Sequence, residues 1–160
     1  MTRYAEILRA LTSGGVDFIL VGGLAAAAHG SVRFTEDVDV VYGRKPQNLA
    51  KLAAALAPIH PYLRGAPPGL PFRLDAETLK AGLNFTLTTD LGWLDLLGEM
   101  AGAGTYEDII QQAIEVDVLG VHCRVVAIET LIHAKKAAGR PKDFEAIAEL
   151  EALRERYRAL

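Results

Sequence analysis

Residues 21–42 read VGGLAAAAHGSVRFTEDVDVVY, and the order of residue types in this stretch predicts the centre of the fold. The apolar run before it ends in a double glycine, an alanine-rich segment follows, and a valine-rich run closes the stretch. This order predicts a buried strand, a tight turn, a short helix ended by Gly30 and a second buried strand. Strand alternation then places Asp37 and Asp39 on the same face of the second strand.

This acid pair is the most unusual feature of the predicted strand. Side chains with the spacing of Asp37 and Asp39 lie about 7 Å apart along the backbone. Their charges repel each other and burial raises the cost, so a divalent cation such as Mg²⁺ is a candidate to offset it. Two other interpretations stay open. An edge strand with one solvated face tolerates two acids without a metal, and glycosyltransferases use such a pair to hold a metal and a nucleotide-sugar.

The residues that flank the acid pair indicate a phosphate site. Gly22 and Gly23 permit a tight turn in which backbone N–H groups point outward at a helix start, and this geometry suits a phosphate. An isolated Gly-Gly is equally compatible with an ordinary strand-to-helix turn. Arg33 and Thr35 alternate on the face predicted for the two acids, so they are candidates to orient phosphate or the carboxylates.

A third acid follows in the segment GWLDLLG. Asp95 is the sole charge in this apolar run and shares its predicted face with Trp93 and Leu97. A buried carboxylate without a partner is costly. If Asp95 approaches the acid pair from a neighbouring strand, it completes a metal site and supplies a general base. The alternative is a residue near the end of a hairpin that points to water.

Residues 131–143, LIHAKKAAGRPKD, form a basic segment. Four cations lie within about two helical turns: Lys135, Lys136, Arg140 and Lys142. Clustered cations beside an acidic metal site can bind a triphosphate, and the alternative is a solvated helix face whose charges pair with Asp143 and Glu145. Successive residues diverge by about 100° around a helix, so we expect Lys135 to face the acidic cleft and Lys136 to face elsewhere.

The rest of the pattern indicates an α/β (α+β) chain with a mixed β-sheet and helices packed on it. A helix precedes the first strand, Pro46 fits the first turn of another, two hairpins follow, and two C-terminal helices end the sequence. Residues 58–72 hold five prolines and two glycines, so we expect a mobile flap or a plain surface connection there. His29 and Cys123 are expected to be structural.

Composition restricts the class of protein. The 160 residues are 51% hydrophobic and 23% charged, which predicts one folded domain spanning residues 1–160. The net charge of −3 argues against nucleic-acid binding by the whole protein surface, although a local basic patch is compatible with this net charge. One cysteine, no apolar run of membrane-spanning length and no signal-peptide pattern predict a cytoplasmic protein without a membrane partner.

Several of these features occur together in the DNA polymerase β-like nucleotidyltransferase superfamily, which the chain resembles. The features in question are Gly22-Gly23, Thr35, Asp37, Asp39 and the later Asp95. Within the superfamily, VRFTEDVDVV, LGWLDLL and LIHAKKAAGRPKD are most similar to AbiEii-type nucleotidyltransferases, which include toxins of abortive-infection and toxin–antitoxin systems. The resemblance runs from about residue 21 to residue 143.

The resemblance implies a nucleotidyltransferase fold and Mg²⁺-dependent transfer of a nucleoside monophosphate from an NTP such as ATP to an acceptor hydroxyl, with two metal ions. It assigns metal binding and catalysis to Asp37, Asp39 and Asp95, of which Asp95 also deprotonates the acceptor. It places Gly22 and Gly23 on the triphosphate. Lys135 falls where the family has a nucleotide-contacting lysine. Together with Arg33 and Thr35 on the N-terminal side of the acid pair, the nucleotide-binding candidates are Gly22, Gly23, Arg33, Thr35 and Lys135.

The resemblance also implies partners: an RNA acceptor, and a cognate antitoxin or another partner protein. AbiEii toxins usually have a larger helical C-terminal part that helps to hold the acceptor, whereas here about one helix follows the KD motif. Two alternatives remain. One is a non-catalytic binding domain that keeps the fold and acts through a partner, and the other is a small-molecule nucleotidyltransferase of the antibiotic-modifying kind.

Overall fold

The computed structural model describes all residues from 1 to 160. The helices are α1 (Tyr4–Ser13), α2 (Gly22–Ala28), α3 (Pro46–Leu56), α4 (Ala76–Ala81), α5 (Tyr106–Ile109), α6 (Ile128–Ala138) and α7 (Phe144–Arg158). The strands are β1 (Phe18–Val21), β2 (Asp37–Tyr42), β3 (Tyr62–Leu63), β4 (Asn84–Thr89), β5 (Gly92–Leu97), β6 (Glu99–Met100), β7 (Gly104–Thr105), β8 (Ile114–Val118) and β9 (Val121–Val125). Two 3-10 turns lie at Ala57–Ile59 and Pro141–Asp143.

Seven strands form one sheet in the order β3-β4-β5-β2-β1-β9-β8, and β6 pairs with β7 separately. The pairs β2–β5 and β1–β9 are parallel, and the other pairs are antiparallel. The predicted mixed sheet is therefore confirmed, as are the two hairpins β4–β5 and β8–β9. Parallel pairing of β2 with β5 requires a long crossover, which α3, β3, α4 and β4 provide.

The core explains why the acids of β2 and β5 face a common side. Val38 and Val40 on β2, and Leu94 and Leu96 on β5, are fully buried on one face of the sheet. Because successive strand residues alternate, the intervening residues face the opposite side, and these include all three candidate aspartates. The four apolar side chains thus fix which face carries the acids.

Local signals fix the ends of several helices. Pro46 occupies the first position of α3, as predicted. The side chain of Asp75 accepts a hydrogen bond from Thr78 N at 2.8 Å at the start of α4. Thr105 and Asp108 form a capping box at α5. None of the helices is long and apolar enough to span a membrane.

One row of residues crosses four strands, continues to the residue after a fifth strand, and positions the candidate site. Val21 pairs with Asp39, Asp39 with Asp95, and Asp95 with Thr86. Arg64, directly after β3, extends the row because its backbone N–H donates to Thr86 O at 3.0 Å. We call these five residues the transverse row. Since paired residues project to the same face, the row brings side chains that are distant in sequence to one place.

The proline-rich segment differs from both expectations for residues 58–72. Tyr62–Leu63 forms an edge strand against β4, and the rings of Tyr62 and Phe72 pack edge to face with centroids 6.1 Å apart. Pairing with β4 at the sheet edge thus holds the middle of the segment in place, and it positions Arg64 next to Thr86 in the transverse row. A high proline content predicts irregular backbone, but it does not reveal a short pairing of this kind.

Two residues expected to be structural are buried. His29 is 7% exposed, and its Nε2 forms a hydrogen bond with Val126 O at 2.7 Å. Cys123 is 6% exposed within β9. Neither side chain approaches the acids, so both belong to the scaffold.

Candidate active site

The three aspartates singled out from the sequence converge. Asp39 and Asp95 are direct partners in the parallel pair β2–β5, and Asp37 lies two residues before Asp39 on β2. One carboxylate oxygen from each residue lies within 4.8 Å of the other two. Asp95 sits in the middle of β5, so it is not a hairpin-end residue directed at water. We call Asp37, Asp39 and Asp95 the acid cluster.

Electrostatics make the acid cluster costly to ionise without a cation. Burial, followed by the charges of Asp95 and Asp37, raises the pKa of Asp39 to about 7. Burial and the charge of Asp95 also raise the pKa of Asp37, while the nearby Arg64 opposes this rise. The fold therefore holds the carboxylates close together although they repel each other when ionised.

The acid cluster fits a divalent metal ion. It offers three carboxylates, the hard oxygen ligands that Mg²⁺ prefers. Asp39 Oδ1 is buried and has no hydrogen-bond partner, although a buried carboxylate oxygen normally has one. A cation bound beside Asp39 would satisfy this oxygen and remove the repulsion. Asp37, Asp39 and Asp95 are thus the residues that could hold the metal.

The double glycine forms the wall next to Asp39. Gly22 has a φ of +68°, and a Cβ there would overlap the carboxylate of Asp39, whose Cγ would be 2.8 Å away. A Cβ at Gly23 would lie 2.7 Å from Oγ1 of Thr35. Thr35 in turn donates through Oγ1 to Asp37 O at 3.3 Å and accepts at its own carbonyl from the hydroxyl of Tyr4. Both glycines therefore admit the side chains that surround the acid cluster.

Gly22→Ala is expected to destabilise the protein by about 1–3 kcal/mol, or roughly 3–10 °C in melting temperature. The substitution adds strain at a positive φ and pushes the Asp39 carboxylate aside. Gly120→Ala is a matched control, because Gly120 also has a positive φ (+82°) but has no atom within 4 Å of an added Cβ. Thermal melts should give the larger loss for Gly22→Ala, and equal losses would mean that contact with Asp39 is unimportant.

Arg64 is a site residue that the sequence analysis missed. Its Nη2 donates to Asp95 Oδ1 at 2.7 Å, and its Nη1 lies 3.7 Å from Asp37 Oδ2. The sequence does contain one signal, since Arg64 is the only Lys, Arg, Asp or Glu between Lys51 and Arg73. A single charge within a long apolar and proline-rich stretch needs a partner, and here that partner is the acid cluster.

The basic side of the site comes from α6 and the turn that follows it. Asp143 is 3% exposed and accepts from Arg140 Nε at 2.8 Å and Nη2 at 3.3 Å. Lys135 Nζ lies 3.7 Å from the same carboxylate. Two of the four cations therefore pair with Asp143, as the alternative interpretation of the basic segment expected. Asp143 itself is buried, so the pairing brings Lys135 and Arg140 together in the wall of one cavity.

Two neighbouring cavities of about 270 and about 260 Å³ share Gly23, Lys135 and Arg140 in their walls. The second also contains Gly22 and Asp39, so it reaches the acid cluster. Together the cavities fall within the range of about 300–1,000 Å³ that is usual for small-molecule pockets. Lys135 and Arg140 line both cavities, Asp39 lines only the second, and Arg33 and Lys142 line only the first. We call the two cavities together the cleft.

Arg33 and Lys136 take other positions. Arg33 pairs with Glu145 at 3.1 Å and Glu149 at 3.6 Å, both on α7, and lines the first cavity. Strand alternation does not place Arg33 or Thr35, because β2 begins at Asp37, but the two residues line the same cavity. Lys136 pairs with Glu151 at 2.8 Å and lines neither cavity.

Solved structures of similar fold are nucleotidyltransferases. The crystal structure of a candidate nucleotidyltransferase from Thermotoga maritima matches with a TM-score of 0.57 and 14% identity, over 93% of this chain and 94% of that chain. The solution structure of the antibiotic-resistance factor ANT(2'')-Ia matches with a TM-score of 0.58 and 20% identity, over 98% and 89% of the two chains. The crystal structure of ANT(2'')-Ia with adenylyl-2''-tobramycin matches with a TM-score of 0.56 and 18% identity, over 98% of this chain and 95% of that chain. These similarities show that the chain has the nucleotidyltransferase fold.

The family is defined by sequence. The model of the family described as nucleotidyl transferase AbiEii toxin, type IV TA system, matches residues 6–143. The chain therefore belongs to the AbiEii family of nucleotidyltransferases, whose description links it to toxin–antitoxin systems. No curated protein matches the chain significantly.

Proposed function

We propose that the protein transfers a nucleoside monophosphate from an NTP to an acceptor hydroxyl in a Mg²⁺-dependent reaction, with residues 1–160 acting as one nucleotidyltransferase domain. The observation that carries the proposal is the acid cluster, whose three carboxylate oxygens lie within 4.8 Å of one another. Membership of the AbiEii family supports the same reaction class. All three acids and both glycines are present, which favours an active enzyme over a non-catalytic binding domain.

The nucleotide lies in the cleft formed by the two cavities. Gly22 and Gly23 line the cavity that contains Asp39, Thr35 lines the neighbouring cavity, and Lys135 from α6 lines both. Arg33, held by two glutamates of α7, lines its outer part. Arginine and lysine suit the phosphates of an NTP, since both donate charge-assisted hydrogen bonds. These five residues form the proposed nucleotide site.

The reaction follows from the position of the acids. The oxygen of the acceptor hydroxyl attacks the α-phosphorus, its proton passes to Asp95, and the bond to the pyrophosphate leaving group breaks. Asp37 and Asp39, with Asp95, would hold Mg²⁺. When bound, the metal supplies activation of the acceptor hydroxyl and stabilisation of the leaving group. Lys135 neutralises charge on the departing phosphates.

The acceptor that we propose is an RNA end, in line with a toxin role for the family, with a cognate antitoxin as the partner protein. A small-molecule acceptor is the second candidate, because ANT(2'')-Ia, which has a similar fold, is solved with an adenylylated tobramycin.

The direct test is a label-transfer assay. The protein is incubated with Mg²⁺ and each α-³²P-labelled NTP in three separate arms: total RNA, an aminoglycoside, or no added acceptor. We expect label to appear on RNA and to disappear when EDTA is present. Label on the aminoglycoside or on the protein itself would retain the reaction class and change the acceptor. Absence of transfer in every arm would favour the non-catalytic binding domain.

Lys135→Ala is expected to weaken binding of Mg²⁺–NTP by about tenfold or more, equivalent to about 1.4 kcal/mol. Lys135 lines both cavities, whereas its neighbour Lys136 is directed to Glu151 on α7. Lys136→Ala is therefore the matched control, since each variant loses one cation and one ion pair. Calorimetric titration with a non-hydrolysable NTP analogue distinguishes the two. Equal losses would indicate diffuse electrostatics in place of a specific contact.

A further inference from the structure

Arg64 is held in the site by neutral groups as well as by acids. Besides its contacts with Asp95 and Asp37, Nη2 donates to Leu87 O at 2.6 Å, and Cζ lies 4.6 Å from the centre of the Trp93 ring. Its side chain is only 19% exposed. Because the carbonyl and the ring retain the guanidinium whatever the carboxylates bind, Arg64 is a fixed part of the site. It is not a mobile counterion.

The contacts of Arg64 are unevenly distributed over the acid cluster. Arg64 forms ion pairs with Asp95 and Asp37, at 2.7 and 3.7 Å, and none with Asp39. The positive charge of Arg64 therefore compensates Asp95 and Asp37 most directly, and the buried Oδ1 of Asp39 remains without a hydrogen-bond partner. A metal ion entering beside Asp39 meets two carboxylates that already share a cation.

We propose that Arg64 is a positioning residue for the acid cluster, with two effects. It fixes the carboxylate of Asp95 in one orientation, and it lowers the affinity of the nucleotide-free cluster for divalent cations. The acid cluster then binds its metal ions tightly only when the triphosphate is present, because the negative charge of the triphosphate offsets the positive charge of Arg64. The inference deepens the proposed function and rests on it, because the orientation of Asp95 matters only if Asp95 takes the acceptor proton.

The two effects predict opposite changes in the variant Arg64→Gln. Loss of the positive charge should tighten binding of Mn²⁺ to the nucleotide-free protein by about tenfold, because a like charge next to the metal is removed. Loss of the fixed Asp95 orientation should slow nucleotidyl transfer by about 10- to 100-fold. A residue with only a scaffold role would not make the protein bind metal more tightly.

Arg64→Lys and Arg44→Gln complete the experiment. Arg64→Lys keeps the charge and loses the planar fork, so Mn²⁺ affinity should stay within about threefold of wild type while transfer still falls. Arg44 resembles Arg64, since it donates to Leu79 O and Lys80 O and lies 5.7 Å from the ring of Tyr42, but it does not contact the acid cluster. Arg44→Gln should therefore lower the melting temperature and leave Mn²⁺ affinity unchanged.

Calorimetric titration with MnCl₂ in the absence of nucleotide, together with the label-transfer assay, decides the matter. Equal or weaker Mn²⁺ binding by Arg64→Gln would overturn the inference, as would wild-type transfer by this variant. A wild-type protein that transfers no nucleotide, but binds Mn²⁺ less tightly than Arg64→Gln, would overturn the proposed function and support the charge effect of Arg64. Absence of Mn²⁺ binding in both proteins would overturn the inference but not the proposed function, which the label-transfer assay tests with nucleotide present.

Discussion

Asp95→Asn is expected to lower the rate of nucleotidyl transfer by about a thousandfold or more while leaving the fold intact. General base catalysis alone contributes about 10²–10⁴-fold, and Asp95 would also be a metal ligand. The amide cannot accept the acceptor's proton, and it is a weaker ligand for Mg²⁺ than a carboxylate. The substitution nearly preserves shape, so the pairing of β5 with β2 and β4 should persist.

Asp90→Asn provides the matched control for this variant. Asp90 lies in the turn between β4 and β5 and pairs with the exposed His60 at 2.6 Å, remote from the acid cluster. Both variants lose one carboxylate from the same hairpin, but only Asp95→Asn should lose transfer in a single-turnover assay. Circular dichroism should confirm that both are folded. A decrease of less than tenfold for Asp95→Asn would exclude it as the proton acceptor.

Asp39→Asn is expected to keep or raise the melting temperature of the metal-free protein. Because the folded-state pKa of Asp39 is raised to about 7, its ionised form opposes folding. The penalty is absent below about pH 4, where the carboxyl is protonated in both states, and is complete above pH 7. The variant should therefore be about 1–3 kcal/mol more stable than wild type at pH 8, and the difference should vanish at low pH.

The same variant should lose the stabilisation that ligands confer. Wild type in Mg²⁺ and NTP at a hundredfold excess over the dissociation constant gains about 2.7 kcal/mol by mass action. For a chain of this size the gain amounts to about 5–10 °C in melting temperature. Asp39→Asn should lose most of that shift, as should wild type given NTP with a chelator. A lower metal-free melting temperature for Asp39→Asn, with an unchanged ligand shift, would contradict the metal site.

The fold was largely predictable because its signals are local. Glycine pairs, strand alternation and the proline at position 46 each depend on a few neighbouring residues, and the predicted order of helices and hairpins is confirmed. The divergence of Lys135 and Lys136 likewise follows from the period of a helix. Even the meeting of Asp39 with Asp95 was predicted, because an isolated acid in an apolar run needs a partner.

Two features of the site were not predictable in this way. The position of Arg33 could not be derived from strand alternation, because the sequence does not mark where β2 begins. Arg64 was overlooked because its role depends on a two-residue edge strand, and proline-rich sequence conceals such pairing. Both cases depend on tertiary context. Contacts between distant segments, in contrast to helix and strand periodicity, leave little trace in the order of residues.

The transverse row also determines when during biosynthesis the protein can become active. A nascent chain that has emerged only as far as β2 carries Asp37 and Asp39 but lacks Asp95, the third acid of the cluster. Asp95 arrives later, and only when β5 inserts between β2 and β4 does it meet Asp39, a non-local step that forms slowly. Under the proposed mechanism, catalytic competence is thus a property of the completed sheet, and a chain that lacks β5 in its place has no complete acid cluster.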